Sequence, residues 1–193
     1  MPTLIFHKPY GVLSQFTDPA GRPTLKDYIP VPEVYPAGRL DLRSEGLLVL
    51  TDDGALAHRL THPRYKLPKE YWVQVHGRPT PRQVQRLLEG VEVDGRRVRA
   101  VQAGPMPAPR VAPRTPPVRE HPTAWLRLVL YGGRKHQVRK MTAAVGLPTV
   151  RLIRWAVGPL TLHGLRPGQW RYLTPGEMRR LRRALRRPRR RGP

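Results

Sequence analysis

The apolar positions of this chain fall mostly in short runs or in alternation, each closed by turn residues, so strands should outnumber helices. Residues 4–6 and 12–16 flank Lys8-Pro9-Tyr10-Gly11 and read as strand, turn, strand. A helical patch with Leu25 and Tyr28 follows, then a proline-punctuated loop to Gly38. The run Leu47-Leu48-Val49-Leu50 is a short buried strand, stopped by Asp52-Asp53-Gly54. Residues 55–60 predict a short helix ended by His62-Pro63, and residues 71–75 alternate as a strand. Thr80-Pro81 supplies an N-cap and a first-turn proline for a helix through Leu88 that stops at Gly90. Residues 91–101 read as a hairpin about Asp94-Gly95. Seven prolines in residues 104–123 predict a loop. Residues 125–131 form another strand, 134–145 a helix closed by Gly146, 150–157 a strand, and 160–162 and 170–172 short ones. The links are of hairpin length and show no βαβ rhythm. The class is α+β, with a mixed, mostly antiparallel sheet flanked by helices and loops. No internal repeat is present.

Charge changes the picture more than composition does. The 193 residues suffice for one domain, or two closely packed lobes, with a real core. They carry 30 arginines and 6 lysines against 13 acids, a net charge of +23. A chain this basic repels itself unless its partner is a polyanion, and nucleic acid is the first candidate. An anionic membrane surface is the second, served by a thin stripe of Met178, Leu181 and Leu185. No apolar run approaches the ~20 residues of a spanning helix, and the N-terminus lacks the features of a signal peptide, so a cytoplasmic protein is expected. With no cysteine there is no disulfide and no thiolate metal site. His58 and His62 have i, i+4 spacing, but Pro63 ends the segment and no third ligand accompanies them, so no metal is expected. Arg110, Arg114 and Arg119 make the proline-rich loop either an RNA-touching arm or a plain surface excursion. From residue 176 the chain holds nine arginines and one glutamate. A helix over 178–187 is expected there, stopped by Pro188, with 189–193 disordered.

Three segments bear chemistry. The first is Gly38-Arg39-Leu40-Asp41-Leu42-Arg43-Ser44-Glu45-Gly46, leading into the buried run. A loop feeding a buried strand is a rigid place to hold a reactive carboxylate. The second is Lys69-Glu70-Tyr71-Trp72-Val73-Gln74-Val75. The third is Gly133-Arg134-Lys135-His136-Gln137-Val138-Arg139-Lys140-Met141, followed by Leu152-Ile153-Arg154. Singly, Asp41 would read as a turn acid, Tyr71 as a core aromatic, Arg139 as a solvated helix charge and Leu152 as core. Together and in this order, over about residues 3–175, they resemble the RNA pseudouridine synthases, in particular the branch that modifies bacterial ribosomal RNA. The opening Leu4-Ile5-Phe6-His7-Lys8-Pro9 and the loop Pro116-Pro117-Val118-Arg119 resemble the short large-subunit branch, which works without an added N-terminal RNA-binding domain.

The resemblance implies roles. Asp41 is the catalytic carboxylate and Arg139 its basic partner. Tyr71 stacks on the target base, and its hydroxyl serves removal of the C5 proton. Leu152 packs against the same base, and Arg39 fills the space the flipped uridine leaves. Read from the residues themselves, Lys69, His7 and Lys8 are candidate phosphate contacts, His136 either touches phosphate or serves a structural role, and Gln137 is a candidate substrate contact. The implied reaction breaks the N1–C1′ bond of uridine and joins C5 to the same carbon. No atoms enter or leave, so no cofactor, metal or redox group is needed. The carboxylate must stay ionised in a dry site, where burial opposes the charge and an arginine restores it. The expected protein is a monomer acting on 23S rRNA or a precursor large-subunit particle, with residues 1–175 as catalytic domain and 176–193 as an Arg-rich tail. A synthase for small-subunit RNA, or a non-catalytic RNA-binding assembly factor, remains the alternative.

Overall fold

A computed structural model describes residues 1–119 and 121–186. Its strands, in chain order, are β1 (Thr3–Lys8), β2 (Tyr35–Pro36), β3 (Glu45–Thr51), β4 (Lys69–His76), β5 (Val91–Val93) and β6 (Arg96–Val98). Then come β7 (Gln102–Met106), β8 (Thr123–Leu130), β9 (Thr149–Val157), β10 (Leu160–Thr161) and β11 (Trp170–Tyr172). The described residues form four α-helices: α1 (Gly54–Thr61), α2 (Pro81–Glu89), α3 (Gln137–Ala144) and α4 (Pro175–Arg186). The expected α+β class, with mostly antiparallel strands, is the one observed. The chain divides into two compact units: Met1–Leu67 with everything from Trp155 onward, and Pro68–Arg154.

In the first unit β1 pairs antiparallel with both β11 and β3, and β2 adds to the other edge of β3. All residues of β1 and β3 are buried. Two-sided burial explains why these strands read as unbroken apolar runs rather than as alternation. Leu4, Phe6, Leu48 and Leu50 pack in one cluster with Leu25, Ile29 and Val34. Residues 12–16 are not a strand: they form a loop with a single bridge between Leu13 and Thr24. Ser14 there turns its side chain to a partner 26 residues away, instead of joining a ladder. Leu25–Asp27 is one turn of 3₁₀-helix, capped by Thr24.

The second unit stacks β4, β8 and β7 in that order, all antiparallel, beside the β5–β6 hairpin. Tyr71, Val73 and Val75 point to one face of β4 and join Leu126, Leu128 and Leu130 of β8. Val138 and Met141 of α3 and Leu87 of α2 cover that face. Thr80 and Gln83 make a reciprocal capping box at the start of α2, and Gly90 ends it. Asp94 and Gly95, both left-handed, form the hairpin turn. The proline-rich segment 104–123, expected to hold no helix and little strand, carries strand only at its ends, where β7 reaches Met106 and Pro105 pairs with Leu126. β7 pairs with β8 alone among the described strands, and an edge position tolerates a residue without an N–H. The helix expected from Arg134 starts three residues later, because His136 is left-handed. In the first unit, α4 begins before the expected tail boundary and buries Leu181 and Leu185. The segment expected to be disordered, 189–193, lies outside the described residues.

Candidate functional site

Asp41 lies in the loop entering β3, half-buried between buried Leu40 and half-buried Leu42. Three contacts fix the backbone around it. The Ser14 hydroxyl donates to the Leu40 carbonyl at 2.8 Å and accepts from the Leu40 N–H at 3.1 Å, clamping both polar groups of the preceding residue. The Gly11 N–H donates to the Leu42 carbonyl at 2.8 Å. Gly11 has φ +80°, a conformation that glycine enters without a Cβ penalty. Lys8, fully buried, donates its ammonium to the carbonyls of Pro9 at 2.9 Å, Val12 at 2.7 Å and Leu42 at 3.4 Å. The Ser44 N–H then closes a turn on the Asp41 carbonyl at 3.0 Å. The carboxylate therefore hangs from a backbone held on both sides, which limits the reorganisation it undergoes when it reacts.

Lys8 and Ser14 are positioning residues that the sequence reading missed. Lys8 was expected to touch phosphate, but it is 0% exposed and turned inward onto the loop. His7 is also buried, with Nδ1 2.9 Å from the Leu165 carbonyl oxygen. The signal was present in Lys8-Pro9-Tyr10-Gly11-Val12-Leu13-Ser14, yet spacing alone does not say which carbonyls such a string will hold. Arg39, two residues before Asp41, is exposed.

The second unit holds the other candidates. Tyr71 is 6% exposed and Leu152 is 4%, and both belong to the cluster that α3 covers. The Tyr71 hydroxyl makes no hydrogen bond with any described residue. Val138 and Met141 anchor α3 in that cluster, while half-buried Arg139 lies between them in sequence. His136 caps α3 with φ 57° and ψ 21°, and its ring makes no capping hydrogen bond. A non-glycine residue in this region costs about 1–2 kcal/mol. Gln137 is buried, and its side-chain oxygen accepts from the Arg134 N–H at 3.1 Å, so the amide shapes the Gly133-Arg134-Lys135 loop. Lys69 is half-buried on β4, two residues from Tyr71 and on the same face. Burial, and secondarily the Arg154 guanidinium, lower its pKa to about 8. Arg114 of the proline-rich loop is not a free arm: it donates to the carbonyls of Pro116 at 2.9 Å and Val150 at 3.0 Å. Arg110 and Arg119 are exposed. Among the described residues no group of three or more His, Cys, Asp or Glu is arranged to hold a metal ion. No described helix is long and apolar enough to cross a membrane.

Comparisons with known proteins agree on one family. The sequence model described as RNA pseudouridylate synthase matches residues 2–144. A Vibrio vulnificus protein named ribosomal large subunit pseudouridine synthase E is 51% identical over 174 residues, covering 89% of this chain and 74% of its own. The protein of that name from Xanthomonas axonopodis pv. citri is 56% identical over 170 residues, covering 85% of this chain and 90% of its own. A solved structure described as a pseudouridylate synthase aligns with a TM-score of 0.76 at 28% identity, covering 93% of this chain and 73% of that one.

Proposed function

The chain belongs to the RNA pseudouridylate synthase family, and from that premise we propose that it isomerises one uridine of 23S ribosomal RNA to pseudouridine. Pseudouridine formation in ribosomal RNA is the activity its relatives' names carry. In the proposed reaction the N1–C1′ bond breaks, the uracil turns, and C5 bonds to C1′. The C5 hydrogen leaves as a proton and N1 gains one, so the equation balances without a second reactant.

Asp41 supplies the carboxylate that acts as the glycosidic bond is cleaved. The observation that carries this assignment is the loop: Ser14, Gly11 and Lys8 fix both neighbours of Asp41. Such a scaffold suits a group that must be aimed. Arg139 is its basic partner, as the family resemblance implies. Tyr71 presents a buried ring to the flipped base and an unengaged hydroxyl for the C5 proton, and Leu152 borders the same base. Exposed Arg39 fills the gap in the RNA. Lys69 and His136 contact substrate, and Gln137 does so through the loop it shapes. The protein acts in the cytoplasm as a monomer on free 23S rRNA or a precursor particle.

Deleting the gene and mapping pseudouridine across the ribosomal RNAs, by carbodiimide adduct and primer extension, tests this reading. One 23S pseudouridine should vanish and return with the wild-type gene. Loss from 16S rRNA instead, or no loss at all, would overturn it.

A further inference from the structure

The helix beside the Asp41 loop carries a cluster of rings that the proposed chemistry does not use. The buried residues of α1 are Leu56 and Leu60, four apart, and they anchor the helix to its unit. Its last turn and the single 3₁₀ turn that follows, Pro63–Tyr65, are largely exposed. His58 and His62, also four apart and both exposed, bring their ring centroids to 4.9 Å at 43°. Half-buried Tyr65 meets both, at 6.4 Å and 83° to His58 and at 6.2 Å and 78° to His62. None of the three pairs is stacked parallel, so the rings do not consume one another's faces. The His62 ring is held in place, because its Nδ1 accepts from the Arg64 N–H at 3.1 Å. A ring nitrogen that accepts carries no proton, which leaves Nε2–H as a donor.

The setting is cationic. Residues 54–66 include Arg59, Arg64 and Lys66, all exposed, and no acid. Among the described residues these three side chains make no hydrogen bond and no ion pair. Asp53, the acid next to the helix in sequence, caps the other end of α1 and lies 3.8 Å from Arg182. The helix dipole accounts for a cation in the last turn, as at Arg59, but not for three touching rings or for two more cations beyond the helix end. The cluster is also close to the Asp41 loop within the same unit. A Cβ on Gly38 would lie 3.6 Å from Cγ2 of Thr61, the residue before His62. Asp41 is three residues past Gly38, at most about 11 Å of extended chain.

Single-stranded RNA binds where its bases can stack on rings while its phosphates meet positive charge. Resting on the functional reading above, we propose that His58, His62 and Tyr65 seat one unpaired base of the substrate RNA, and that Arg59, Arg64 and Lys66 hold the phosphates flanking it. The seat takes a different nucleotide from the one presented to Tyr71. It fixes the strand near the Asp41 loop while the target nucleotide turns.

The test uses the full chain and a fluorescein-labelled single-stranded RNA decamer of uridines, titrated at several potassium chloride concentrations. Circular dichroism confirms that each variant is folded. Tyr65→Ala should weaken binding at least about fivefold, the lower end for losing one base stacked on an aromatic ring. The slope of log K against log salt should not change, since no charge is removed. Tyr65→Trp should restore affinity. His58→Ala, at an exposed position, should weaken binding with an unchanged melting temperature. Arg59→Gln combined with Arg64→Gln should instead flatten the slope by about 1.4, the loss of two phosphate contacts to a single strand. A decamer of abasic residues should bind wild type and Tyr65→Ala equally. Wild-type affinity of Tyr65→Ala and His58→Ala for the uridine decamer would overturn the seat, because the rings would then only pack on one another. An equal loss with the abasic decamer would overturn it too. If wild-type protein forms no pseudouridine in transcribed 23S rRNA while the variants bind as expected, the functional reading fails and the seat stands. If pseudouridine forms and both ring variants bind like wild type, the seat fails and the functional reading stands.

Discussion

The C-terminal helix offers a direct separation of packing from charge. Composition marks the segment as an arginine-rich arm, yet Leu181 is 0% and Leu185 1% exposed in α4. The helix start is also fixed. The Thr174 hydroxyl accepts from the Glu177 N–H at 3.2 Å, and the Glu177 carboxylate accepts from the Thr174 N–H at 2.8 Å. Arg171 grips that carboxylate with two hydrogen bonds of 2.8 Å. Replacing a fully buried leucine by alanine costs roughly 2–5 kcal/mol. Losing the cap costs about 1 kcal/mol, and an ion pair this close to solvent at most about 1 more. Leu181→Ala with Leu185→Ala should therefore remove roughly 4–10 kcal/mol, against a total stability of roughly 5–15 kcal/mol for a domain. Exchanging exposed Arg179, Arg180 and Arg183 for glutamine should leave stability within about 0.5 kcal/mol and reduce only the salt dependence of RNA binding. Urea denaturation followed by circular dichroism reads the first effect, and titrations at several salt concentrations the second. If deleting residues 176–193 left the urea midpoint and slope unchanged, the reasoning would be refuted, because α4 would then contribute charge alone.

Three further outcomes follow from individual side chains. Lys8→Met strips the donor from three carbonyls and should cost about 3 kcal/mol; turnover should fall further than the unfolded fraction explains, as single-turnover assays on folded protein would show. Lys69 has its folded pKa lowered from 10.5 to about 8, so its burial opposes folding wherever it is charged. The penalty, about 3 kcal/mol, is full below pH 8 and disappears as pH rises from about 8 to about 10.5. Lys69→Met should accordingly be more stable than wild type at pH 7, with the difference shrinking at high pH; melting curves across that range check the sign. Tyr71→Phe keeps the ring and Tyr71→Ala removes it, so both should lose turnover, and only alanine should weaken capture of the base, by roughly 1–3 kcal/mol; wild-type turnover in Tyr71→Phe would exclude a role for the hydroxyl.

Local devices could be read from the chain, and long-range ones could not. The Asp94-Gly95 turn, the Thr80 N-cap with its first-turn proline and the buried run ahead of Asp52 depend on residues a few positions apart, and each lies where the pattern put it. Residues 12–16 carry strand-like letters, but Ser14 is committed to Leu40, and nothing near it in sequence reveals that. The start of α3 was displaced by one left-handed residue, His136. Leu181 and Leu185 were outweighed by the arginines around them, although their spacing already marked one face of a helix. For the candidate site, the motifs pointed to Asp41, Tyr71, Arg139 and Leu152. They did not show that Lys8 faces inward, nor that Gln137 is occupied with its own loop. Those facts depend on which backbone groups the fold leaves needing a partner.

The central claim is that the Asp41 carboxylate performs the isomerisation. Release of tritium from 5-labelled uridine in transcribed 23S rRNA, compared between wild type and Asp41→Asn, tests it most directly. The asparagine variant preserves shape and removes only the carboxylate. It should release no tritium while binding the RNA within a few fold of wild type, since affinity comes mainly from phosphate contacts. Tritium release at the wild-type rate, with mass spectrometry excluding deamidation back to aspartate, would contradict the account.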